Sequence, residues 1–86
     1  MRIWVKEIKD NHLIRDMVVE DYGDDTRTHK VMTALSTVCD SFDLGHPIWL
    51  DSNIKEFQLF AKTRFLRDSF VEPIDFDYLE FGIIEE

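Results

Sequence analysis

The chain has 86 residues, 44% of them apolar and 13% aromatic, enough for one hydrophobic core and too little for a second, so a single domain over 1–86 is expected. Eighteen acidic against ten basic residues give a formal charge of -8; this disfavours direct binding of nucleic acid, because the cations are scattered apart from a denser run at 62–67. The single cysteine excludes an intrachain disulfide, no leading segment reads as a signal peptide, and no apolar run approaches the roughly 20 residues of a bilayer span, so a cytoplasmic protein with no membrane partner is expected.

Residues 2–10 alternate, with Ile3 and Val5 on one side and Arg2, Trp4, Lys6 and Ile8 on the other, which predicts a strand. Asp10-Asn11-His12 then suits a tight hairpin turn, because Asn and Asp tolerate positive φ. A second strand is predicted at about 13–20. The polar loop 20–25 leads into a helix capped by Asp25 or Thr26, with Val31, Ala34, Leu35, Val38, Cys39 and Phe42 forming one apolar stripe. Gly45 is the expected left-handed residue after that helix, and Pro47 its stop.

Pro47-Ile48-Trp49-Leu50 is too short for more than an edge strand or a connector that tucks Trp49 under the sheet. A second helix follows. Asp51, Ser52 and Asn53 are all suitable caps, Asn53 with Glu56 resembles a capping box, and Ile54, Phe57, Phe60 and Ala61 keep helical spacing. Residues 63–73 fit neither period and read as a turn or short strand anchored by Phe65 and Phe70. The last strand, 74–84, changes phase near Tyr78-Leu79, which calls for a β-bulge there or for cover on both faces, with Gly82 marking a close backbone approach. The expected fold is α+β, a small antiparallel sheet made of the N-terminal hairpin and the C-terminal strand with two helices packed against it, in the order ββα(β)αβ.

Catalytic signatures are weak. His12, His29 and His46 fall in three different elements, so a histidine metal site is not expected. Asp75 and Asp77, two apart on a strand, share a face and with Asp24 and Asp25 are the best divalent-cation ligands on offer, although solvated acids on the wet side of the strand explain them as well. Cys39 lies in the apolar stripe, where a thiol is inert, and the three glycines form no phosphate-cradling loop. No cofactor is expected. The mixed polar run 24–30 reads as a cap and a solvated first turn in preference to an anion or partner site.

The runs Asp24-Asp25-Thr26-Arg27-Thr28-His29-Lys30, Pro47-Ile48-Trp49-Leu50, Asn53-Ile54-Lys55-Glu56-Phe57, Thr63-Arg64-Phe65 and Ile74-Asp75-Phe76-Asp77-Tyr78-Leu79-Glu80 resemble a group of short uncharacterised proteins from anaerobic Firmicutes. The resemblance implies a free-standing bacterial cytoplasmic protein and brings no activity, ligand or catalytic residue with it.

The reading that follows is a non-catalytic protein–protein interaction module, homodimeric or with another protein partner, because the strands carry more apolar surface than two helices cover. Trp4, Leu79, Phe81 and Ile83 are the expected interaction surface. An acidic mimic of nucleic acid that blocks a basic protein is the alternative, and a divalent-cation-dependent enzyme using Asp24, Asp25, Asp75 and Asp77 comes third.

Overall fold

A computed structural model describes residues 1–86, and its first element is the expected hairpin, β1 (Arg2–Lys9) and β2 (His12–Glu20). Asp10 and Asn11 turn the chain with φ of 52° and 64°, the positive pair that a two-residue primed turn requires. β2 carries a bulge: Glu7 faces Arg15 but Ile8 faces Leu13, so Ile14 is the extra residue.

Helix α1 (Arg27–Ser41) starts on Thr26, whose side chain accepts a hydrogen bond from the His29 N–H at 3.2 Å. Val31, Ala34, Leu35, Val38 and Cys39 are its buried stripe, as the spacing requires. Its end differs from expectation. Asp43, not Gly45, takes the left-handed position (φ 55°), and the Leu44 N–H reaches the Cys39 carbonyl at 2.8 Å while Asp43 N–H reaches that of Asp40 at 3.3 Å, a Schellman closure. Aspartate tolerates this region better than most residues, so the glycine two positions later is not needed for it.

Residues 47–50 are a connector outside the sheet. The Ile48 N–H donates to the Ser69 carbonyl at 2.7 Å, and the Trp49 ring stands edge-on to Phe57, Phe65 and Phe81, with centroids 5.5, 4.9 and 6.1 Å away. Helix α2 (Asp51–Phe60) begins after Leu50; Asn53 is therefore its third residue and not its cap, and its side-chain oxygen accepts from the Leu50 N–H at 3.1 Å. Of the residues with helical spacing, Phe57 is buried, whereas Ile54 is exposed and Phe60 is 70% exposed, because α2 docks by one edge over the next strand. Ala61, at φ 53°, joins α2 to β3 (Lys62–Leu66) with no further loop.

A single 3₁₀ turn at Arg67–Ser69 leads to β4 (Tyr78–Glu85). Residues 74–77 lie before the strand, which corrects the placement of Asp75 and Asp77 on it. This also explains the change of phase: Phe76 is packed into the core against Phe70, and strand alternation starts only at Tyr78. No bulge sits at Tyr78-Leu79; the irregularity in β4 is at Ile84, where the ladder shifts between Arg2–Glu85 and Ile3–Ile83. Residues 79–82 are all buried, Leu79 and Phe81 beneath the helices and Glu80 and Gly82 beneath lysine side chains of the neighbouring strands.

The sheet is antiparallel throughout, in the order β2-β1-β4-β3, and both helices pack on one of its faces. One cluster of fifteen buried apolar residues fills that layer, with Ile3, Val5, Phe65, Leu79 and Phe81 from the sheet meeting the stripe of α1 and Phe57 of α2. No helix is long and apolar enough to cross a membrane.

Candidate interaction surface

The sheet face opposite the helices has no cover. Register assigns its residues. At successive levels across β2, β1, β4 and β3 stand Leu13, Ile8, Tyr78 and Leu66; then Asp16, Lys6, Glu80 and Arg64; then Val18, Trp4, Gly82 and Lys62; and finally Glu20, Arg2 and Glu85, beyond the end of β3. Alternation puts these side chains on one face, while Ile3, Val5, Leu79 and Phe81 take the other.

Charge and aromatic rings are interlocked on this face. Glu80 is only 7% exposed although nothing lies over the sheet there, because Lys6 at 3.8 Å and Lys62 at 3.3 Å fold their stems around its carboxylate. The Trp4 indole N–H donates to Asp16 at 2.7 Å, and the Lys6 ammonium lies 4.1 Å from the Trp4 ring centroid. Arg64 lies 4.7 Å from the Tyr78 ring centroid, and Arg2 reaches Glu20 and Glu85 at 3.6 and 3.7 Å. Of the ten cations and eighteen carboxylates in the chain, four of each stand here, so the remaining six and fourteen carry the whole charge of -8. The open face is thus a neutral patch on an acidic molecule.

A methyl group added at Gly82 would come 2.9 Å from Cγ of Lys62, so the Lys62 stem lies across the glycine, and a depression of about 200 Å³ lies beside it between Trp4, Lys62 and Ile84. A larger concavity, about 310 Å³, lies between the helices, lined by Arg27, Met32, Trp49, Ile54 and Phe57. The Trp49 indole N–H beside it is buried and has no acceptor.

The residues expected to form an interaction surface separate. Trp4 stands on the open face, but Leu79 and Phe81 are 0% exposed beneath the helices and belong to the core, and Ile83 packs against that core as well. The reason is register: odd positions of β4 pair with Ile3, Val5 and Glu7 on the helix side, so the apolar excess lies in the even positions and on the neighbouring strands. The alternation of β1 already puts Lys6 beside Trp4, and Lys62 and Arg64 belong to the denser basic run 62–67, but nothing in the sequence places those two or Tyr78 on the same face as Trp4.

The four expected cation ligands lie in different settings. Asp24 is exposed in the loop before α1. Asp25 accepts from the Thr26 N–H at 2.8 Å and pairs with the His29 ring at 2.9 Å, contacts that hold its carboxyl below the ordinary range, the backbone donor contributing most. Asp75 is exposed. Asp77 fastens the hairpin turn, accepting from the Asp10 N–H at 2.9 Å and from Arg67 at 3.3 Å. No three His, Cys, Asp or Glu side chains come together with the geometry to hold a metal ion. His12 lies at the start of β2, and His46 is 3.3 Å from Asp40. Burial pushes the Cys39 thiol up to about 11.

On the helix side, Glu7 is 3% exposed and accepts from Arg15 at 2.6 Å, while Arg15 also donates to the Phe42 carbonyl at 2.8 Å and lies over the Phe42 ring. This clamp ties the last turn of α1 to β2 and is structural. The chain matches no family model, no curated protein and no solved structure.

Proposed function

We propose that the protein is a small acidic, non-catalytic protein–protein interaction module that docks through its open sheet face. The observation that carries this reading is the combination of an uncovered four-stranded face, bearing Leu13, Ile8, Tyr78, Leu66, Val18 and Trp4, with a balance of four cations and four carboxylates on a molecule whose remaining residues sum to -8. Aromatic anchors within a ring of paired charges are what a protein partner uses.

A protein is favoured over nucleic acid as the occupant. Single strands stack on exposed rings of central strands, but here Lys6 and Arg64 lie over the rings of Trp4 and Tyr78, and four carboxylates oppose the four cations. The mimic reading would draw on the fourteen carboxylates away from this face. They are divided among the helix starts, the hairpin tip and the loops, with Asp77 and Glu7 already engaged by arginines. A cytoplasmic setting accords with one buried, unpaired Cys39.

The test is photo-crosslinking in living cells of the native host. A benzophenone side chain at Leu13 is expected to trap a protein adduct, and the same probe at Lys55, on the outer side of α2, is expected to trap none. Equal labelling from both positions, or none from Leu13, would remove the open face from consideration.

A further inference from the structure

At the levels of Lys6 and Arg2 the charges of the open face are antisymmetric about the line between its two central strands, whereas at the Trp4 level Val18 corresponds to Lys62. At the level of Lys6 the charges run minus, plus, minus, plus: Asp16, Lys6, Glu80, Arg64. Reversing that order exchanges every sign. One level on, the largest side chain of the face, Trp4 on β1, corresponds to the absent side chain of Gly82 on β4. At the end of the sheet Arg2 corresponds to Glu85, and at the other end the whole level is apolar.

From this we infer that the partner of the open face is a second copy of the chain, packed face to face about a two-fold axis parallel to the strands and midway between β1 and β4. The inference rests on the interaction reading above and names its occupant. Such an axis keeps each level in place and lays β1 over β4 and β2 over β3 of the other copy. Lys6 then opposes Glu80, Asp16 opposes Arg64, Arg2 opposes Glu85, Trp4 stands above Gly82 and the depression beside it, Val18 meets the Lys62 stem, and Ile8 and Leu13 meet Tyr78 and Leu66. An axis across the strands at the level of Lys6 would instead set Lys6 on Lys6 and Glu80 on Glu80, and one midway along the face would set Lys6 on Trp4 and Glu80 on Gly82, so only the axis along the strands pairs opposite charges. Aligned packing of two twisted sheets accommodates this geometry.

Two further observations agree with a second copy. The surface outside this face carries the whole net charge of -8, so association there works against a net repulsion that the neutral face does not add. Both outer strands are poor templates for edge-to-edge growth, since β2 is bulged at Ile14 and β3 has five residues, which leaves the face as the route of association. Four strands about 4.8 Å apart and five to nine residues long present a plane of roughly 480 Å², more once side-chain relief is included, which is the low end for a specific dimer.

A charge exchange tests the inference with the purified full chain. Asp16 and Arg64 are exposed on the outer strands, where reversal leaves the core intact. Asp16→Arg alone would place guanidinium against guanidinium twice per dimer, and Arg64→Asp alone carboxylate against carboxylate twice. Sedimentation equilibrium is expected to show each variant dimerising at least about tenfold more weakly than the parent, and their equimolar mixture recovering to within about threefold of it, as a heterodimer. Leu13→Lys and Leu66→Lys, which touch no charge pair, are each expected to weaken the dimer by about tenfold as well. On dilution of the parent, the Trp4 indole and Gly82 amide NMR signals are expected to move while those of Lys55 and Gln58 stay fixed. A parent that remains monomeric at about 1 mM, single variants as dimeric as the parent, or a mixture that shows no recovery would overturn the inference. A monomer whose Leu13 probe still traps a different protein in cells would end the dimer and leave the interaction reading standing; failure of both would end both.

Discussion

Ala61 makes the whole connection between α2 and β3 in a region of backbone space that a Cβ disfavours by about 1–2 kcal/mol. Glycine there relieves that strain but adds about 0.5–1 kcal/mol of chain entropy to the unfolded state. Ala61→Gly is therefore expected to raise stability by roughly 0.5–1 kcal/mol, seen as a higher urea midpoint with an unchanged slope. Nothing in the sequence marks this position, because alanine is the residue least associated with a left-handed turn and best suited to continue the helix before it. Cys39 is the opposite case, since its place in the apolar stripe was legible. Burial raises its pKa from the ordinary 9.0 of a free thiol to about 11, so the protonated thiol favours the folded state. That contribution is fully present below about pH 9 and is lost as the pH rises through about 11, a decline of ~3 kcal/mol. The expected signature is a midpoint of urea unfolding that falls across this window in the parent and falls less in Cys39→Ala, and a thiol that reacts with a disulfide reagent only on the timescale of unfolding.

Asn53 shows how an element can be fixed by a residue whose role the local sequence misnames. Read as a helix cap, it is instead a buried junction: its oxygen accepts from the Leu50 N–H and from Ser69, and its NH2 donates to Thr63 at 2.9 Å and to the Arg64 carbonyl at 3.0 Å. Thr63 in turn donates to Glu56 at 2.8 Å. This network, with Phe57, attaches a ten-residue helix that buries little else. Asn53→Ala is expected to cost about 3 kcal/mol in chemical denaturation, because several buried groups lose partners at once. It is also expected to speed amide exchange over 51–60 before the remainder of the fold. The hairpin, α1 and its stripe could be read from periodicity and turn chemistry, since each is decided by neighbours in the chain. The edge docking of α2, the bend at 74–77 and the strand at 62–66 could not, because they depend on which distant residues the segment meets. The same limit divided the expected interaction surface: Trp4 could be assigned a side, but which side Leu79 and Phe81 shared with it required the ladder between β1 and β4.

At the scale of the molecule, the fourteen carboxylates off the open face outnumber the six cations there by eight, which leaves a net repulsion that is screened beyond about 10 Å at 0.1 M salt. Thermal stability of the dilute protein is accordingly expected to rise by a few degrees between about 10 and 200 mM NaCl and then level off, as scanning calorimetry would register. The Cα radius of gyration, 12.2 Å, accords with a folded chain of this length.

The central ladder joins residues 2–8 to residues 78–85. Pairing the two most distant strands at the middle of the sheet makes the topology one of high contact order, in which the entropy of a long loop must be lost before its contacts are gained. During synthesis on the ribosome, the hairpin emerges first and stays a two-stranded ribbon, with the inner edge of β1 unpaired, until β4 leaves the exit tunnel. Completion of the fold is thus timed by the last strand to be made, and the interval before it is when the nascent chain is open to holding chaperones and to mispairing with its neighbours.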